Sequence, residues 1–124
     1  MSNQILVVDD DPVIHRLLQH HLLRAGYLML SATNGREACD IASREHPGLI
    51  VMDIMMPEVD GLAALREIKK ADATKDIPVI VITANHHALV SKESGIAGGA
   101  FFMTKPFSPA QLLNEVRRLL PLAG

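Results

Sequence analysis

The 124-residue chain has no tryptophan, one tyrosine, three phenylalanines and a single cysteine. Each scarcity removes a class of function. So few rings leave no platform on which successive bases could stack. Cys39 alone cannot form an internal disulfide; it fits a reducing compartment and reads as a small helix residue. An excess of one charge is missing as well. Twelve Lys and Arg against fourteen Asp and Glu leave a net charge of −2, with no basic run to neutralise a phosphate backbone. No direct nucleic-acid partner is expected. No apolar stretch approaches the roughly eighteen residues that span a bilayer, and Met1-Ser2-Asn3-Gln4 puts no basic segment before an apolar one. The expectation is a cytoplasmic chain without membrane insertion. Linkers, repeats and low-complexity tracts are also lacking, so residues 1–124 read as one domain, and 48% hydrophobic residues suffice for one core.

What is there is an alternation. Residues 5–8 (ILVV), 49–52 (LIVM), 77–82 (IPVIVI) and 100–104 (AFFMT) are apolar without a two-residue period, which suits strands covered on both faces. A weaker run, 27–32 (YLMLSA), reads as a strand near an edge. Between them, Ile14, Leu17, Leu18, Leu22 and Ala25 share one helical face, as do Leu112, Leu113, Val116, Leu119 and Leu120. Asp11-Pro12 and Ser108-Pro109 each set a capping side chain before a proline at the first helical position, and Gln111 completes a capping box with Ser108. Gly26 and Pro121 supply stops. Segment 86–97 (HHALVSKESGIA) is the poorest helix, interrupted by two serines and a glycine, and is expected to be the least firmly held.

Five strand-like runs alternating with five helix-like segments require right-handed crossovers, hence an α/β fold with a parallel sheet and helices on both faces. Polar residues then fall at one edge. ILVV is followed by Asp9 and Asp10, LIVM by Asp53, IPVIVI by Thr83, and the last run closes on Thr104 and Lys105. Carboxyl ends of parallel strands form a single mouth, where open α/β sheets place their ligands. Asp53 stands in the otherwise apolar LIVMDIMMP, and a buried carboxylate costs several kcal/mol unless something compensates or uses it.

Three carboxylates at that mouth cannot all stay ionised without a cation, since like charges raise each other's pKa by about one unit or more. Lys105 supplies one positive charge. A hard, oxygen-seeking divalent ion supplies the rest, and a small open site with two or three carboxylates suits Mg²⁺, with Mn²⁺ able to substitute. A carboxylate beside Mg²⁺, an ammonium and a hydroxyl has the parts for attack on phosphorus, forming an aspartyl-phosphate. Asp53, alone after its strand, is the nucleophile candidate; Asp9 and Asp10 form a pair suited to the metal.

In order and at these separations, "ILVVDDD", "LIVMDIMMPEVDG", "IPVIVITA" and "FFMTKPF" resemble the receiver domain of two-component response regulators, across essentially the whole chain. The resemblance implies a flavodoxin-like (βα)5 three-layer sandwich with strand order 2-1-3-4-5. It implies Asp53 as phosphoacceptor and Asp9, Asp10, Asp53 and the Met55 main-chain carbonyl as metal ligands. Thr83, Ala84 and Lys105 would bind the phosphoryl group, Thr83 and Phe102 would form the switch, and Pro106 would follow a cis peptide. It implies a sensor histidine kinase or histidine phosphotransfer protein as donor, and no turnover activity beyond the domain's own phosphorylation and dephosphorylation. Phosphorylation would alter the face made by segment 86–97, the fifth strand and the last helix, where partners dock and a homodimer could form.

Other readings compete. Asp11 is expected as a helix cap rather than a further ligand, and Asp60-Gly61 as turn and helix-start chemistry. The adjacent pairs His20-His21 and His86-His87 lack the i, i+4 spacing of a helical metal site and read as solvated. An aspartate-nucleophile phosphatase would need a second Asp where Met55 stands. A flavin carrier would need a Ser-, Thr- or Gly-rich first loop, and this one is "DDDPV". A phosphorylation-independent docking module finds no support, since no key residue is missing. Met55 and Asn85 stand where hydrophilic side chains assist water in the family, so a slowly hydrolysed phosphoryl bond is expected. Repulsion among the acids predicts that Asp10→Ala or Asp53→Ala raises the metal-free melting temperature. The sequence ends at Leu122-Ala123-Gly124, just past the last helical segment, with no effector domain expected within it.

Overall fold

Strands that are apolar on both faces need a layer of helices on each side, and the local caps determine where those helices start. In a computed structural model, residues 3–53, 60–83, 100–104 and 108–122 are described, with residues 60–62, 83, 100, 102 and 104 described by their backbone. Along these the chain runs β1 (Gln4–Val8), α1 (Pro12–Arg24), β2 (Leu28–Ala32), α2 (Gly35–Glu45), β3 (Leu49–Asp53), α3 (Asp60–Lys70), β4 (Val79–Thr83), β5 (Ala100–Thr104) and α4 (Pro109–Leu119). The five strands form one sheet of order β2-β1-β3-β4-β5, and every neighbouring pair is parallel. This is the expected flavodoxin-like order, with the weak run YLMLSA at an edge. The helical segment expected at 86–97 lies outside the described residues.

Alternate residues of β1, β3 and β4 feed two separate cores. Leu6, Val8, Ile50, Met52, Val79 and Val81 pack with Ala38 and Ala42 of α2 and Leu65 and Ile68 of α3. Ile5, Val7, Leu49, Val51, Ile80 and Ile82 pack with Leu18 and Leu22 of α1 and Leu112 and Val116 of α4. The result is three layers. The central strands are buried on both faces, so their sequences show no polar alternation.

The caps hold as expected. The Asp11 side chain accepts from Val13 N at 2.9 Å, and Ser108 and Gln111 form a reciprocal capping box around the first turn of α4. Asp60 opens α3. β4 begins two residues later than the apolar run 77–82 implied. Ile77 belongs to the preceding turn, where its N–H donates to Thr74 O and its carbonyl accepts from Lys69 Nζ at 2.8 Å. Gly26 takes φ 98°, a backbone conformation that favours glycine, and a Cβ there would lie 2.8 Å from Leu122 Cδ1, a side-chain end that would have to shift. His46 closes α2 in the left-handed region, at φ 48°, a position the sequence reading did not foresee.

Candidate functional site at the carboxyl edge of the sheet

Register brings the acidic residues together. Val8 pairs with Met52 across β1 and β3, so one further residue along each strand sets Asp9 beside Asp53. Neighbouring strands lie about 4.8 Å apart. Asp53 is the last residue of β3 itself, opposite Ile82 of β4, rather than the first residue beyond its strand. Thr83 closes β4 opposite Thr104 of β5, which puts its backbone at the same edge.

Both carboxylates are nearly withdrawn from water: Asp9 is 4% exposed and Asp53 5%. Neither lacks an interacting partner. Asp10, by contrast, is exposed. The turn that carries the acidic pair is tightly specified. Asp9 N donates to Ala32 O at 3.1 Å, extending the β1–β2 ladder by one rung. Asp9 Oδ1 accepts from Asp11 N at 2.8 Å, and the Nε2 of His15 donates to the Asp9 carbonyl at 2.6 Å. Asp11 is thereby occupied as the α1 cap. Sequence reasoning missed His15; its only signal was its position one turn into a helix that starts at the acidic loop.

The donor chemistry suits a hard cation. Asp9, Asp10 and Asp53 offer only oxygens, which favours Mg²⁺ or Mn²⁺ over a nitrogen- and sulfur-seeking metal. Among the described residues, no group of three or more His, Cys, Asp or Glu is arranged to hold a metal. Met55, Ala84, Asn85, Lys105, Pro106 and the pair His86-His87 lie outside the described residues, as do the side chains of Thr83 and Phe102. His20 and His21 sit on α1, in edge contact with each other at 5.2 Å. Cys39 is a half-buried α2 residue facing Ala64 O. A cleft of about 380 Å³ between α2 and α3, walled by Arg36, Asp40 and Glu67, contains none of the predicted site residues.

Buried carboxylates at the carboxyl edge of a 2-1-3-4-5 sheet define a flavodoxin-like receiver-type α/β protein. The model of the response regulator receiver domain matches residues 5–117, and the chain belongs to that family. It is 40% identical over 120 residues to "Probable transcriptional regulator ycf27" of Porphyridium aerugineum, covering 96% of this chain and 48% of that protein. The chain thus spans about half the length of such relatives. Among solved structures it is similar to the chemotaxis protein CheY4 of Vibrio cholerae, with TM-score 0.85, 28% identity and coverage of 97% of this chain and 100% of that one. It is also similar to response regulator TrrA of Thermotoga maritima, solved with Mg²⁺ and BeF, with TM-score 0.81, 36% identity and coverage of 97% and 100%. Receiver domains of response regulators act in phosphorylation-based two-component signalling and are not typical turnover enzymes. Among the described residues, no helix is long and apolar enough to cross a membrane.

Proposed function

We propose that residues 1–124 form one receiver domain in which Asp53 accepts a phosphoryl group from a phosphohistidine of a sensor kinase or phosphotransfer protein. The observation that carries this reading is the pair of nearly buried carboxylates, Asp9 and Asp53, on adjacent strand ends. A structural acid would need no second carboxylate next to it, because two like charges on neighbouring strand ends repel.

In this reading Asp9, Asp10, Asp53 and the Met55 carbonyl would hold Mg²⁺, or Mn²⁺ in its place. When bound, the ion neutralises charge on the phosphoryl oxygens and the attacking carboxylate. Asp53 supplies the attacking oxygen; phosphorus bonds to it as the bond to the donor imidazole breaks, and that nitrogen leaves with the electron pair. Lys105 supplies the remaining positive charge, the Thr83 hydroxyl binds a phosphoryl oxygen, and the small Ala84 leaves room for it. Thr83 and Phe102 then shift the face formed by segment 86–97, β5 and α4, where an effector or a second copy docks. On that face the Arg118 guanidinium lies 5.1 Å from the centre of the Phe101 ring. The domain is cytoplasmic. DNA contact by a longer regulator would reside outside these residues, which carry no basic surplus.

Intact-mass measurement after incubation with acetyl phosphate and Mg²⁺ tests the reading. One phosphoryl adduct is expected on the parent and none on Asp53→Asn; adduct on both, or on neither, overturns it. The adduct should then decay slowly without a phosphatase, because the Met55 thioether cannot orient water. Loss within seconds would contradict this.

A further inference from the structure

The Asp9 carbonyl belongs to the peptide plane that joins Asp9 to Asp10, so whatever holds that oxygen also sets how both side chains leave the turn. His15 holds it. Helical side chains lean toward the helix N-terminus, and from the fourth position of α1 the imidazole reaches back across the first turn to donate at 2.6 Å. A carbonyl only accepts, so the proton of this bond sits on Nε2. The other ring nitrogen, Nδ1, is buried without a hydrogen-bond partner. An orphaned buried nitrogen is a cost that an apolar side chain of similar size would avoid. Stability alone therefore does not explain an imidazole here, whereas the bond to the acidic turn does.

We infer that His15 is a positioning residue for the cation site, fixing the Asp9–Asp10 peptide through its Nε2–H so that both carboxylates face the edge of the sheet. The inference rests on the reading of Asp9 and Asp10 as magnesium ligands. Groups that orient metal ligands typically change affinity ten- to a hundredfold when lost.

Mg²⁺ titration of the full chain, followed by backbone amide chemical shifts, provides the test. His15→Phe keeps the bulk and removes the donor, and should bind Mg²⁺ about tenfold more weakly. His15→Gln keeps an N–H donor at similar reach and should bind close to wild type. His15→Asn, whose amide is too short to reach Asp9, should fall with Phe and stands in for it if that variant does not fold. Equal affinity across wild type, Phe and Asn overturns the inference, as does an equal loss in Gln and Asn. Failure of the wild-type chain to bind Mg²⁺ at all overturns instead the parent reading of the site.

Discussion

Asp53 and Asp9 present the central energetic problem at the scale of single residues. Both are nearly buried on adjacent strands, where two like charges repel. Removing one should relieve repulsion. Asp53→Ala is expected to raise the melting temperature in chelator by the equivalent of about 1 kcal/mol, a gain that thermal unfolding with and without Mg²⁺ would measure. A lower melting point in chelator would contradict the repulsion argument. From sequence, Asp10→Ala ranked equally with it; exposure of Asp10 now separates the two, because water screens its charge, and its effect should be smaller. The acids were legible from residue types alone, since a carboxylate at the end of an apolar run has few reasons to be there. His15 was not legible, because its role depends on a turn that brings a helical ring back onto a carbonyl six residues earlier.

At the scale of elements, capping chemistry sets both position and pH response. Asn34 Oδ1 accepts from Glu37 N at 2.9 Å, while Glu37 Oε1 accepts from Thr33 N at 2.7 Å and from Thr33 Oγ1 at 2.9 Å. The Thr33 amide foremost, then its hydroxyl, holds the Glu37 carboxyl below its usual 4.5. A lowered folded pKa stabilises the native state above the unfolded value, and that contribution disappears as pH falls through the folded one. The melting-temperature gap between wild type and Glu37→Gln should therefore be present near neutrality and narrow on acidification below about pH 4.5. The gap will be small, since Glu37 is exposed. Ser108→Ala should instead cost about 1 kcal/mol with no such pH dependence, because its box is built from neutral groups. Ser108-Pro109 was readable as a start signal. The Asn34 cap and the Thr33–Glu37 bonds have no apolar period beside them in the sequence to mark a helix start.

Across the whole molecule, the α1–β2 turn and the end of α4 close on each other. Tyr27 is fully buried and its hydroxyl donates to Leu120 O at 2.6 Å, joining residues 93 positions apart. Tyr27→Phe removes the donor and leaves the carbonyl unpaired, so urea unfolding should show a loss of about 1 kcal/mol. An unchanged midpoint would mean that water takes over the bond. The chain's own pattern determined the layer architecture, because runs without polar alternation can be covered only by helices on two sides. It also determined the candidate acids and the caps at Asp11 and Ser108, whose partners lie within three residues. Only the tertiary structure decided that Asp9 and Asp53 are neighbours in register, that Asp10 faces water, and that His15 grips the acidic turn. Those facts depend on how separate strands and helices align through packing, and no local period encodes an alignment between segments forty residues apart.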